Sequence, residues 1–480
     1  MGAGMSPPHS VRRRTILSKA AFALGSTLAC AALAGEGLPD LGSSEPPVER
    51  PKSYAIPAAE IVGFDFLLNR IDHVIYGNEY RVTGSTIRRN LRSSWNVDKD
   101  PYKINQLFHP YQGSIYHGFA RSAGLNFWES LGYTFAGSAI WEIAGEDTLP
   151  SRNDQVASGI AGSFLGEALF RMSSLVLEQG YGNSTWREVG AAAISPSTGF
   201  NRVAFGKRFS EVLNSNNPAY YGRLQVGTSA TTQHQAGDSG AARRSEVLVD
   251  FAMDYGLPGK PGYHYTRPFD YFNFQVTASS ANAVESMATR GLLFGTDYEV
   301  GENYRGIWGL YGSYDYISPQ IFRVSSTALS LGTTGELRLA NSVVAQGSVL
   351  AGLGYAGVST LHATQNTDYH YGIAPQGLLS LRFIFGDTTS LDVTARDFFI
   401  SRVAGAGTSK RDNIARADFS LTFRVLREHA VAIKYLWSRR DATFPGLSDL
   451  ARNDLTQSRG TLGLYYVYLG KGRFGAVDWR

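Results

Sequence analysis

Five side chains between residues 109 and 154 are of the types that ligate metals or move protons: His109, His117, Glu142, Glu146 and Asp154. Glu142 and Glu146 are four residues apart, so on a helix they share one face. A histidine brought to that face would complete a donor set that zinc or iron accepts. The spacing is not that of a His-Glu-x-x-His helix, however, and no local element carries His109 to the two glutamates. Acid–base hydrolysis, with His109 as base and a carboxylate orienting it, is the other chemistry open to this group. The plainer expectation is a hydrogen-bonded network that locks helices together, with no metal and no cofactor. Ser151 and Asp154 are spaced as a helix N-cap, and Glu167 and Arg171 as an i, i+4 ion pair. Gly162 and Gly166 lie on one helix face and permit close approach by a neighbour.

The elements that must hold these residues fall in a block, 59–190, that reads mostly as helix in several amphipathic pieces. One aromatic-rich helix covers 127–143, with Trp141 and Glu142 at its end and Glu146 just beyond. A second covers 155–177 and carries Gly159, Gly162, Gly166, Glu167 and Arg171. Residues 35–58, rich in Pro, Gly, Ser and Glu, read as a flexible linker, and 191–214 as a connector.

From residue 215 to 480 the pattern changes to strict alternation. Ala415, Ala417, Phe419, Leu421, Phe423 and Val425 share one face of a strand, while Arg416, Asp418, Ser420, Thr422 and Arg424 share the other. The same rhythm recurs at Val247–Tyr255, Phe272–Val276, Leu379–Phe385, Leu391–Ala395, Val431–Trp437 and Leu462–Tyr468. A soluble sandwich would also alternate. These strands are longer than the usual five or six residues, and Trp308, Tyr314, Tyr316, Trp437, Tyr465, Tyr466 and Tyr468 gather near strand ends as a membrane girdle would. The fold expected is therefore mainly β: a transmembrane antiparallel β-barrel of about 12 strands preceded by a small α-helical domain. Its lumen would carry Arg382, Asp392, Arg396, Arg416, Asp418 and Arg424, with Arg223, Asp250, Asp254, Asp315 and Lys434. Mixed signs in so narrow a barrel predict a cross-lumen salt network.

Composition agrees. Only 18% of the 480 residues are charged, against 43% hydrophobic, with 53 Gly, 26 Tyr and 26 Phe, which is strand-and-turn usage rather than that of a disordered chain. The single cysteine, Cys30, excludes a disulfide framework and a cysteine-based zinc site. Residues 1–34 have the form of a Sec signal peptide: Arg12, Arg13, Arg14 and Lys19, an apolar run from Ala20 to Leu33, and Ala32-Leu33-Ala34 as cleavage site. Arg13-Arg14 loosely resembles a twin-arginine signal and Leu28-Ala29-Cys30 a lipobox. Without this segment the chain has 41 basic and 41 acidic residues, so net charge points to no nucleic-acid partner.

The ordered set Asn105-Gln106, His109-Pro110-Tyr111, Gly113, Tyr116, Arg121, Phe127-Trp128-Glu129-Ser130, Trp141-Glu142, Glu146, Pro150-Ser151, Asn153-Asp154, Glu167 and Arg171 resembles the bacterial family catalogued as domain of unknown function 3943. The resemblance spans residues 60–176. It implies a helical block joined to an outer-membrane barrel in a Gram-negative envelope, with membrane lipids and the barrel-assembly machinery as partners, and it implies no activity.

Three functions remain in view. The first is a non-enzymatic outer-membrane barrel, its helical block periplasmic or plugging the lumen, that passes or binds a small molecule or lipid or supports the envelope. The second is an outer-membrane lipid hydrolase using His109 and a carboxylate, although no Gly-x-Ser-x-Gly nucleophile turn occurs and His362, His370 and His429 stand isolated in the sequence. The third is a secreted soluble β-protein that binds a partner.

Overall fold

The computed structural model describes residues 52–479 apart from 78–79, 99, 179–184, 236–241, 320, 361–368, 406–410, 445–452 and 471–472. The signal-peptide reading, Cys30, most of the linker and His362 lie outside the described residues.

Twelve strands close into one antiparallel barrel. They are β1 (Tyr220–Gln235), β2 (Ala242–Tyr255), β3 (Phe272–Ser279), β4 (Ser286–Val300), β5 (Tyr304–Ile317) and β6 (Phe322–Ala340). The circle continues with β7 (Val343–Thr360), β8 (Tyr369–Phe385), β9 (Thr389–Gly405), β10 (Arg411–Leu426), β11 (His429–Phe444) and β12 (Asn453–Leu469). The first and last strands seal it, with Arg223 opposite Leu469 and Gln233 opposite Arg459. Closure leaves no edge, as hydrocarbon requires. The outward residues Val226, Leu331, Leu353, Ile433, Leu464 and Tyr466 are apolar and exposed, which makes this a membrane-spanning barrel and sets aside the soluble sandwich. The chain enters β1 and leaves β12 at one rim, called the near rim below. Tight turns at 301–303, 341–342, 386–388 and 427–428 also lie there.

The lumen is filled. Arg382 spans it, from Asp392 on β9 at 2.7 Å to Asp254 on β2, the diametrically opposed strand, at 3.0 Å. Arg223 reaches Asp392 at 3.0 Å, Lys434 reaches Asp418 at 3.3 Å and Asp250 at 3.8 Å, and Arg396 pairs with Asp315. Toward the far rim an apolar layer of Ile321, Val324, Val358, Phe398, Ile400 and Ile414 lies across the interior. At the near rim the segment after β12 turns inward: Gly475 accepts from Gln346 at 2.7 Å, the Val477 amide donates to Glu336 at 3.0 Å, and Phe474 lies under Arg424. Between these layers remains a cavity of about 100 Å³, room for a few waters.

The helices are α1 (Ala55–Tyr76), α2 (Gly84–Asn90), α3 (His109–Ser122), α4 (Phe127–Ala144), α5 (Gly162–Glu178), α6 (Thr185–Ile194) and α7 (Pro196–Phe205). Helix α1 begins inside the segment expected to be a linker, and α7 with the end of α6 occupies more than half of the expected connector. Ser195-Pro196 starts α7, proline being well suited to a first helical position. Helices α1 and α4 run from the near rim toward the far rim, and α3 and α5 return. Asn126 and Glu129 close a capping box at the start of α4, at 2.9 and 2.7 Å.

This bundle does not plug the lumen, one of the placements expected of it. It stands against the outer wall. On β5, Asp315 points inward to Arg396, so Tyr314 and Tyr316 on the opposite face point outward, yet both are fully buried. Tyr314 donates to the Gln106 carbonyl at 2.6 Å, and Tyr316 lies beside Tyr102. They are contacts of the bundle, not girdle residues, and Tyr465 faces the lumen. Phe251, Phe272, Phe274 and Val276 are covered in the same way, in one apolar cluster with Phe164, Leu165 and Leu169 of α5.

Glycines let α3 and α5 touch. A Cβ on Gly113 would stand 2.0 Å from the Ser158 carbonyl oxygen, and one on Gly162 would stand 2.7 Å from the Gly113 Cα. Gly113→Val should therefore force the helices apart and cost at least about 1–3 kcal/mol. Limited proteolysis in detergent checks this, with faster cleavage of the bundle expected while the barrel keeps its heat-dependent gel shift.

Candidate functional site

The five chemistry-bearing residues do not converge on one point. His117 belongs to a separate, fully buried cluster centred on Glu167. Glu167 accepts from Arg121 at 2.6 Å, from Arg171 at 2.8 Å and faces His117 Nε2 at 3.1 Å. Arg171 continues to Asp270, in the β2–β3 connection, at 3.0 Å and to the Pro268 carbonyl at 2.7 Å. The chain of charge thus runs from α3 through α5 into the barrel. Its geometry is that of a fastening.

His109 sits at the far-rim end of the bundle with Asp154, whose Oδ2 lies 3.9 Å from His109 Nε2. Two π-helical segments bring them together. Ile104–Phe108 ends immediately before His109, and Gln155–Ala161 begins immediately after Asp154. Such widened turns rotate the side chains beside them and are frequent at functional sites. Ser151 caps the intervening turn, accepting from the Asp154 amide at 3.3 Å, while the Ser151 amide donates to Glu142 at 2.8 Å. Asn153 joins Asp98 at 2.9 Å and the Tyr371 hydroxyl of β8 at 2.9 Å. Tyr116 donates to Asp65 of α1.

Several of these groups are buried without hydrogen-bond partners: His109 Nδ1, Glu142 Oε1, Asp154 Oδ2 and Trp141 Nε1. Among the described residues no Lys or Arg forms an ion pair with Glu142, Glu146 or Asp154, and no group of three or more His, Cys, Asp or Glu is placed to hold a metal ion. A pocket of about 280 Å³ opens beside them. Phe64, Leu68, Phe108 and Ile115 form its apolar side, and His109, Trp141 and Glu146 its polar end. Tyr111 also lines it, and Pro110 begins the helix that carries His109.

Sequence reasoning missed Asp65, Asp98 and the β8 tyrosines Tyr369 and Tyr371, and gave Asn153 no role beyond its place in the motif. The Asn-Gln before His109 and the Asn before Asp154 were the available signals, since both supply amides to those tyrosines. His370 is not isolated either, lying 3.1 Å from Asp412 inside the barrel. His429 meets the Tyr466 hydroxyl at 2.7 Å.

Fold and site together define a transmembrane β-barrel of the outer-membrane type that carries a helical bundle on its outer wall. Residues 94–197 match the family described as Domain of unknown function (DUF3943). No curated protein matches the chain. Among solved structures, an outer membrane channel from Pseudomonas putida F1 is 11% identical, covering 52% of this chain and 95% of its own, with a TM-score of 0.30. The translocator domain of the autotransporter NalP from Neisseria meningitidis is 15% identical, covering 56% and 97%, with a TM-score of 0.24. The outer membrane channel DcaP of Acinetobacter baumannii is 7% identical, covering 52% and 96%, with a TM-score of 0.25. Nothing about cargo or ligand follows from likeness at this level.

Proposed function

We propose that this is an outer-membrane protein of a Gram-negative bacterium, exported by the Sec route and inserted by the barrel-assembly machinery. In this reading the helical bundle binds a lipid or lipid-like amphiphile and the barrel is its scaffold. The near rim, with its tight turns, then faces the periplasm, and the His109 end faces outward. One observation carries the reading. The bundle pocket, at about 280 Å³, has more room than the lumen cavity of about 100 Å³, and it joins an apolar wall to a polar end where His109 Nδ1 and Trp141 Nε1 lack hydrogen-bond partners. Unpaired buried polar atoms are costly, and an amphiphile's head would satisfy them while its chain lay along Phe64, Leu68 and Ile115.

The test is titration of the purified full-length protein in detergent with a brominated fatty acid, read as quenching of tryptophan emission. Saturable quenching is expected. Ile115→Trp, which fills the pocket, should weaken binding by about tenfold or more, roughly 1.4 kcal/mol, and keep the barrel's gel shift. Equal binding by that variant, or none by the parent, would overturn the reading.

Hydrolysis of the bound lipid is a second reading, favoured by Asp154 facing one ring nitrogen of His109 while the other is free. It predicts that His109→Gln retains brominated-lipid binding and loses at least about 100-fold in turnover of a fluorogenic ester, as removal of a general base does. Failure of the parent to cleave any ester offered would sink it.

A further inference from the structure

We infer that the helical bundle is itself immersed in the bilayer beside the barrel, so that this protein crosses the membrane with helices as well as strands. The surface concerned is the outer face of the bundle, and its partner is the hydrocarbon of the membrane that the barrel already spans. The inference does not rest on the pocket being occupied.

Height is the first argument. The bundle is tied to the near rim by Arg171 to Asp270 and by Glu178, which accepts from the Ser215 amide at 3.2 Å just before β1. At the far rim it is tied by Asn105 to the Tyr369 hydroxyl at 2.8 Å and by Lys103 to Asn282 at 3.0 Å. It therefore runs the full height of the wall. Helix α1 has 22 residues, about 33 Å at 1.5 Å per residue, against a hydrocarbon core of about 30 Å. The continuous helical stretch Arg152–Glu178, mostly buried between the other helices and the wall, has 27 residues and is likewise long enough.

Surface chemistry is the second. Val62, Phe66 and Val74 form one i, i+4 row on α1, with Leu67, Ile71 and Ile75 as the row beside it, and all six are exposed, Val74 by 84%. A monomer in water does not keep such a stripe bare. Arg70, within the stripe, folds over the Phe66 ring at 5.6 Å and holds Asn69, which leaves its apolar stem along the surface.

Continuity is the third. Trp128, at the near-rim start of α4, stacks on Phe294 of β4 at 5.1 Å and 13°. Both rings are exposed, and Trp308 of β5 lies exposed on the same side of the wall. The apolar band of the barrel thus passes onto the bundle without a polar break at that seam. Around the rest of the seam the bundle covers outward strand positions, so lipid that would have met the wall must meet the bundle instead.

The experiment uses full-length protein in a Cys30→Ser background, with single replacements Phe66→Cys, Ile71→Cys and, on the barrel, Leu331→Cys. Each is labelled with an environment-sensitive fluorophore and refolded into phosphatidylcholine vesicles. All three sites are exposed, so labelling should spare the fold, and the heat-dependent gel shift confirms each sample. Labels at 66 and 71 should lose as much emission to acyl-chain nitroxide lipids as the label at 331, and none to iodide. Quenching by iodide, or by headgroup nitroxides alone, would place the bundle outside the hydrocarbon and overturn the inference. Protection from every quencher would mean that protein covers the face, and would overturn it equally.

Discussion

Glu167→Ala should unfasten the helical bundle from the barrel while leaving the barrel closed. The carboxylate takes hydrogen bonds from Arg121 and Arg171 and meets His117, all of them buried. Without it, Arg121 keeps the Leu125 carbonyl and its stacking over Phe170, while Arg171 keeps Asp270 and Pro268. Stranding buried charge in this way costs about 3–5 kcal/mol, far more than an exposed i, i+4 pair would. The barrel should be spared, because its strands are joined by their own ladder from β1 round to β12. Expected on a gel is an unchanged shift on boiling, together with rapid proteolytic loss of the bundle. Glu167→Gln keeps the volume and some hydrogen bonds and should fall between. In a double-mutant cycle, Arg121→Ala added to Glu167→Ala should cost less than the sum of the two, because one removal already relieves the charge stranded by the other. Protease resistance equal to the parent's would show that this cluster is not the fastening.

The barrel was legible because one physical contrast repeats along it. Lipid outside and a polar interior make Phe419, Leu421 and Phe423 alternate with Asp418, Ser420 and Thr422, and the alternation is visible residue by residue. The side on which the bundle sits was not. Phe251, Phe272, Phe274 and Val276 are apolar whether lipid or helix covers them. One break in the pattern was on β6: Arg323, Ser325 and Thr327 are on the outward face, where lipid would not tolerate them, and there they meet Tyr102 and lie beside Asn153 and Val156. The site was half legible. Polar residue types in a helical block marked it, but the two π segments that set His109 beside Asp154 depend on tertiary packing, and no residue preference announces them. His117 misled for the same reason, since eight residues of helix carry it away from His109 to Glu167.

Arg382→Ala should weaken the barrel yet open no path through it. Arg382 is the pin across the lumen, holding Asp254 and Asp392 on well-separated strands and lying over the Tyr221 ring at 4.6 Å. After truncation Asp392 still has Arg223, but Asp254 is left with Asn273 at 2.8 Å. A buried carboxylate that loses its cation costs about 3–5 kcal/mol, reduced here to the extent that water enters the vacated space. The temperature at which the folded band disappears on a gel should drop accordingly. Conduction should not appear, because the salt layer is only one of three closures in series. Phe398, Ile400 and Ile414 still seal the far side, and the segment carrying Phe474 and Val477 still fills the near rim through Gln346 and Glu336. Parent and variant alike should stay silent in planar bilayers. A steady ohmic current from the parent would return the lumen to the centre of the protein's function, and an unchanged melting temperature for Arg382→Ala would show that the cross-lumen pair is not what holds the opposed strands together.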